Sequence, residues 1–581
     1  MQTARFLTPL LLALSTLGGV SCESHPGVEP GAVAKLPATT QDAREPDSAI
    51  ILRNAFVRVT DSATIGVGPA GGELTGEDGL RLEVPANALD AEAELTARTI
   101  QTRTPDAPGI TFVSDAYAFT PHGTHFDTPV TITLPFEADG DGLQVYRLDD
   151  EADLTWSLVE GVDFEDRHAT FTTDGFSIYG IGCTVGESCC ELKARPVDLL
   201  FVIDDSGSMR EEQTAVIQEL PDLVRVLTSG DLDGDGTQDF LPIEDLRVAV
   251  ISTNMGTSGF PSEPARHDCR TNDGFGQDGI LTTDLPTPRC TAKTAEHRCP
   301  FSACEGGQCT LPEGCAASYD PYLTLASDDN AEDFLEDVTC KVRLGTAGCG
   351  LEQQLEASLK ALMPANCDEP YCDFVGSSRE HDSPGANAGF LRADSVLAVV
   401  LVTDEDDCSV ENPAITDDAW VETHPKDGIS GHVNLRCVEY AEELWPVVTP
   451  SGAPERYAPG LLSLRSDPKD LVFAAIAGFP GDLVEPEDAN PLNVDYEALL
   501  AGEAMEARLE VDPSDRPYKL LPSCTGGEDA EAYHPRRIGT VAKQLHEAGA
   551  GAVVASICED LHLAFESITW AIARALRQSC R

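Results

Sequence analysis

Basic residues are scarce in this chain: 39 Lys and Arg stand against 99 Asp and Glu, a formal charge of −60 over 581 residues. So few cations cannot neutralise a phosphate backbone, which argues against nucleic-acid binding. They also leave no basic patch for anionic lipid. The signatures of common catalytic machinery are missing as well: there is no P-loop, no GxSxG elbow, no HExxH, and no GxGxxG opening a helix. The expectation is a protein that binds rather than an enzyme. The N-terminal apolar run Phe6–Leu17 is too short for a permanent membrane span.

Cysteine, by contrast, is plentiful. The run Phe6–Leu17 follows Arg5 and leads through Gly18, Gly19 and Ser21 to Cys22, the pattern of an export signal. Ser21-Cys22 resembles the lipobox of bacterial lipoproteins, with Gly19 where Leu is usual, and implies lipidation of Cys22 and membrane anchoring; ordinary cleavage is the alternative. Removing Cys22 from 19 cysteines leaves an even number, suited to disulfides in an oxidising compartment. The densest group is Cys269, Cys290, Cys299, Cys304, Cys309 and Cys315, with zinc as the competing reading and no paired CxxC knuckles to favour it. Cys580 is expected to staple the last helix. Residues 1–22 thus read as the signal and 23–49, rich in Pro, Ala, Gly and charge, as a tether.

From 50 to 182 short alternating segments such as LRLEV, VTITLPF and ATFTT, broken by Gly, Pro and Asp, predict an antiparallel β-sandwich. The phrases GPAGGEL (Gly68–Leu74), LRLEVPANAL (Leu80–Leu89), FTPHGTHFDTPVTITLPF (Phe119–Phe136) and GFSIYGI (Gly175–Ile181) resemble the ZU5 domain. Some ZU5 relatives cut their own chain at an HFS triad. Here Gly175 stands in place of that His, so Ser177 lacks its local base and a docking or structural role is expected.

In VDLLFVIDDSGSM (Val197–Met209) an apolar run, read as a buried parallel strand, ends in Asp204, Ser206 and Ser208. One carboxylate and two hydroxyls on alternate residues can converge on a hard cation at the carboxyl end of a sheet, where open α/β folds place ligands. The bland reading is a serine-rich turn. The motif resembles the metal-ion-dependent adhesion site (MIDAS) of von Willebrand factor type A (VWA) domains. That resemblance implies a second-loop Thr, here Thr346 of Leu344-Gly345-Thr346, and a third-loop Asp, here Asp404 after SVLAVVLVT (Ser395–Thr403), with Glu405 where Gly is usual. It implies Mg²⁺ or Mn²⁺ there, and a coordination position that an acidic residue of a protein partner fills.

The fold class expected is therefore multidomain, a ZU5-like all-β sandwich followed by a doubly wound, Rossmann-like α/β VWA domain at 194–581 with Cys-rich insertions. Further strands are expected at Leu246–Ser252, Asp470–Gly478 and Ala550–Cys558, and helices at Glu211–Leu227, Cys349–Leu362, Val438–Val447, Gly539–Ala548 and Leu561–Leu576. Ser208 and Thr346 are far more separated than a short βα connection requires, so 257–340 reads as a Cys-rich insertion near the metal. A second cation motif, DLDGDGTQD, places Asp231, Asp233, Asp235, Thr237 and Asp239 around Gly236 as a DxDxDG calcium loop for Ca²⁺, with Pro242 at position 12 and Glu244 or Asp245 as a late ligand. A solvated acidic turn is the alternative. Glu211 and Glu212 read either as ligands of an adjacent calcium or as carboxylates favoured by a helix N-terminus, and Asp406 and Asp407 are equally open. The function expected is a surface-anchored, metal-dependent binding or adhesion protein of a bacterial envelope. An envelope scaffold with structural metal is the alternative, and a hydrolase hidden in the insertions a remote one.

Overall fold

The computed structural model describes residues 57–577 apart from 77–78, 103–109, 113, 137–141, 151–154, 166, 185–194, 233–235, 237, 239, 241, 244, 258–275, 327–328, 365, 375–386, 427–432, 485–493, 511–518 and 527–530. Cys22, Cys269 and Cys580, with the signal and tether, lie outside the described residues.

Two antiparallel sheets form the region from Val57 to Thr184. One runs Val57–Val67, Ala93–Thr102, Ala116–Thr120, Ile178–Thr184, Gln144–Asp150, Thr155–Leu158, with Ile110–Phe112 also beside Ile178–Thr184. The other runs Asp163–Glu165, His168–Gly175, His125–Pro135, Arg81–Val84, Gly72–Thr75. Alternate residues of strands such as Arg81–Val84 and His168–Gly175 are buried, as a sheet with one covered face requires. The inward sets, Leu82, Ile132 and Phe171 from one sheet and Leu95, Phe119 and Tyr179 from the other, share one core. Gly71, in the GPAGGEL phrase, has φ +78°, and a Cβ there would stand 2.4 Å from the Val84 carbonyl oxygen, so the turn needs glycine.

The region from Val197 onward is built on a six-stranded sheet in the order Tyr322–Ala326, Asp245–Ser252, Val197–Ile203, Val396–Val402, Leu471–Ala477, Gly551–Ser556. All neighbours pair in parallel except the edge strand Tyr322–Ala326. Every residue of the three strands Val197–Ile203, Val396–Val402 and Leu471–Ala477 is buried, which explains their unbroken apolar runs: both faces are covered. Helices Arg210–Ser229, Ala331–Lys341 and Leu561–Arg577 pack on one face, and Gln354–Leu362, Tyr457–Leu462 and Arg536–Glu547 on the other. Among the described residues, no helix is long and apolar enough to cross a membrane.

Three expectations need correction. The helix expected from Cys349 begins only at Gln354, because Gln353 at φ −121° and ψ 61° is not helical and the preceding residues are held by other loops. Leu351 therefore joins Cys408, Val410 and Ile415 in a separate small core rather than lying on the stripe of Leu355 and Leu359. The helix expected at Val438–Val447 is instead Val433–Glu439 followed by a 3-10 turn, Ala441–Glu443. The interval 257–340 is not wholly an insertion, since its last part supplies the edge strand Tyr322–Ala326 and the helix Ala331–Lys341.

Candidate metal centre

The central strand delivers Asp204 to the carboxyl edge of the sheet. The Asp204 N–H continues the ladder by donating to the Val402 carbonyl at 3.0 Å, which sets it beside the end of the neighbouring strand. The chain then turns: the Ser206 N–H donates to Asp204 Oδ1 at 2.7 Å, and the Thr403 hydroxyl donates to Asp204 Oδ2 at 2.7 Å. Ser206 Oγ and Ser208 Oγ are 3.4 Å apart, and the Ser208 hydroxyl bonds the Asp404 carboxylate. Asp204, Ser206, Ser208 and Asp404 are thus joined in one continuous polar network.

Gln213, in the first turn of the following helix, brings in the second loop. Its amide donates to the carbonyls of Asp204 and Gly345 at 2.8 Å each and accepts the Gly345 N–H at 3.1 Å. Thr346, the next residue, is buried at the same rim, while the Gly348 N–H donates to the Asp205 carbonyl at 2.7 Å. The sequence reading missed Gln213, although its position nine residues after Asp204 placed it in the first turn of that helix.

Electrostatically the site is one-sided. Asp204, Asp404 and Glu352 are each at most 2% exposed. Burial pushes all three carboxyls upward, and for Asp404 and Glu352 the neighbouring negative charges push further. The leading influences on them are burial and, for Asp404 and Glu352, neighbouring carboxylates. Asp404 Oδ1, Glu352 Oε1 and Glu212 Oε2 are buried with no hydrogen-bond partner among the described residues. An unpaired buried carboxylate costs several kcal/mol, so such a group needs either a proton or a cation. Oxygen donors alone, carboxylate and hydroxyl, suit Mg²⁺, Mn²⁺ or Ca²⁺, and the residues present fit such an ion.

The ambiguous acids separate cleanly. Glu212 points into this region, its carboxyl pushed up to about 6 by burial first and then by Glu211 and Asp204, whereas Glu211 is exposed. Asp406 accepts the N–H groups of Arg537 (3.0 Å) and Ile538 at the start of helix Arg536–Glu547. Asp407 accepts the Leu355 N–H at 2.9 Å and pairs with Arg537 at 3.1 Å. Both are anchors of the third loop.

Of the expected calcium loop, Asp233, Asp235, Thr237 and Asp239 lie outside the described residues, as does Glu244. Asp231 Oδ2 accepts the Gly236 N–H at 2.9 Å, and Gly236 sits at φ +90°. Asp245 begins a sheet strand, and its Oδ2 pairs with Arg392 at 2.6 Å. The Cys-rich segment forms Cys290–Cys304, Cys299–Cys309 and Cys315–Cys340, and Cys349 is also disulfide-bonded. These disulfides correct the zinc alternative: Cys290, Cys299 and Cys309 lie together, but each sulfur is already bonded.

In the sandwich, the Ser177 hydroxyl donates to the Leu148 carbonyl at 2.5 Å and Gly175 lies opposite His125 in the ladder. Residues 63–146 match the ZU5 domain. The ZU5 match covers strands from both sheets of the sandwich, and the GPAGGEL turn belongs to it. Among solved structures, a point mutant of the PilB minor pilin from Streptococcus sanguinis is similar at 8% identity, covering 90% of this chain and 92% of that one with a TM-score of 0.27. No curated protein matches the chain.

Proposed function

We propose that the α/β region is a VWA-type domain and that the chain is an exported, metal-dependent binding protein rather than an enzyme. The observation that carries this reading is the convergence of Asp204, Ser206, Ser208 and Asp404 at adjacent strand ends, with the buried Asp404 Oδ1 left without a donor. Asp204, Ser206, Ser208, Thr346 and Asp404 would hold a Mg²⁺ or Mn²⁺. A bound dication supplies a Lewis-acidic position that an oxygen ligand of a protein partner, such as a carboxylate, can occupy. The chain's own residues do the positioning: Gln213 joins the first and second loops, and Arg537 with Asp406 and Asp407 fixes the third. Ca²⁺ is proposed for the Asp231 loop. Export, with Cys22 as a lipid attachment site, agrees with the disulfides.

The test uses the full chain immobilised against cell-surface extract, with EDTA and then with Mg²⁺ restored. Thr346→Ala and Asp204→Ala should lose chelator-sensitive capture that the unmodified chain keeps, and Asp204→Ala should lose Mg²⁺ binding itself. Capture at full strength by both variants, with metal titration showing an empty site, would favour a scaffold in which the metal takes no part in recognition.

A further inference from the structure

Helix Arg210–Ser229 and the last helix, Leu561–Arg577, lie against each other on one face of the sheet and supply Leu220, Leu223, Phe565 and Ile568 to the same core. Where their polar edges meet, three metal-ligating side chains converge. Glu219 and Asp222, three residues apart, share one face of the first of these helices. His562 enters from the first turn of the other, placed there by its N–H, which donates to Asp560 Oδ1 at 3.1 Å. The His562 Nδ1 stands 3.0 Å from Glu219 Oε2. A ring nitrogen of His562 and one oxygen from each of the two carboxylates lie within 4.8 Å of one another. Glu219 is the covered member, with 19% of its side chain exposed, whereas His562 and Asp222 are open to solvent at 57% and 58%.

We infer that Glu219, Asp222 and His562 form a second metal site, one for a transition-metal dication of the Zn²⁺ kind that clips the two helices together. None of its groups belongs to the oxygen-only centre at the sheet edge, so the two stand or fall separately. The donor set decides the class of ion: an imidazole nitrogen beside two carboxylates suits Zn²⁺, whereas Mg²⁺ and Ca²⁺ prefer oxygen alone. Two carboxylates also balance the charge of a dication. Metal–ligand bonds of about 2.0–2.1 Å in tetrahedral array set neighbouring ligand atoms about 3.3 Å apart, so Nδ1 and Oε2 need separate by only about 0.3 Å. Asp222 has to turn inward and give up its 3.3 Å contact with Arg225, an exposed ion pair of small worth. Binding releases to solvent the proton that His562 and Glu219 share, since imidazole ligates a metal only when neutral. Three protein ligands leave the fourth position to water.

The experiment is calorimetric titration with Zn²⁺ of the full chain carrying Asp204→Ala, with Mg²⁺ in large excess, so that the oxygen-only centre takes no part in the reading. Zn²⁺ should bind and raise the melting temperature. Losing even an outer-shell partner costs about 10–100-fold in metal affinity, so adding His562→Ala or Glu219→Gln, each of which removes a direct ligand, should weaken binding at least about tenfold. The Zn²⁺-dependent rise in melting temperature should shrink with it. His562 is more than half exposed, so its truncation leaves the core intact. With Cu²⁺ in place of Zn²⁺, the electron paramagnetic resonance spectrum should carry coupling to an imidazole nitrogen that His562→Ala removes. Zn²⁺ affinity unaltered by His562→Ala, or no Zn²⁺ binding at all, overturns the inference and leaves the Mg²⁺ reading standing. If Asp204→Ala does not fold, the unmodified chain and His562→Ala are compared in the same excess of Mg²⁺, and equal Zn²⁺ affinities overturn the assignment.

Discussion

Asp205, the neighbour of Asp204, gives a sharp test of how the loop is packed. It is 7% exposed, accepts the Ser252 hydroxyl at 2.8 Å, and lies against Gly348. Burial pushes its carboxyl up to about 7 from 3.8; the Ser252 bond opposes the rise and the charge of Asp204 adds to it. A carboxyl raised on folding binds its proton more tightly in the folded chain. Its contribution is therefore fully favourable below about 3.8 and is lost as the pH climbs through about 7. One pKa unit corresponds to about 1.4 kcal/mol, so the roughly three-unit rise puts the cost at pH 8 at up to about 4 kcal/mol. Asp205→Asn keeps an oxygen for Ser252 and removes the charge. In urea denaturation with EDTA, the variant should be more stable than the unmodified chain by up to about 4 kcal/mol at pH 8, and the difference should vanish by about pH 4. Glu212 and Asp406 slope the same way, so only the difference between the two proteins reports Asp205. Parallel stability curves from pH 4 to pH 8 would refute the reasoning.

Arg537→Ala should cost about 3–5 kcal/mol in the same assay, because it strands Asp407, whose side chain is 0% exposed; Asp407→Asn in the same chain should recover part of the loss. Gly348→Ala would put a Cβ 2.0 Å from Asp205 Oδ1, so it should destabilise by about 1–3 kcal/mol and weaken Mg²⁺ binding as the second loop is pushed away. A melting temperature and Mg²⁺ affinity equal to the unmodified chain's would show that the two loops do not touch this way.

Continuous apolar runs ending in acidic turns made the buried strands legible: Val197–Ile203 and Val396–Val402 fall within a residue of where the sequence puts them. Alternation did the same for Arg81–Val84 and His168–Gly175. What could not be read is long-range. The pattern Leu351, Leu355, Leu359 looks helical throughout, yet Leu351 is drawn off because residues 352 and 353 are claimed by loops distant in sequence. Tyr322–Ala326 was hidden because an edge strand carries no unbroken apolar run, here only Leu325 being buried. Gln213 and Glu352 are polar residues whose meaning comes only from what lies across the rim. Asp407 likewise resembles a ligand until Arg537, 130 residues away, is set beside it.

The Cys-rich segment is tied to the helices by two ammonium groups. Lys360 of helix Gln354–Leu362 is 1% exposed and pairs with Asp278, while Lys341 donates to the carbonyls of Thr282, Asp320 and Pro321. Deleting residues 278–321 would therefore strand two buried cations at once. The segment and these lysines are therefore one physical unit, and a chimaera that exchanges the segment should fold only when both lysines travel with it.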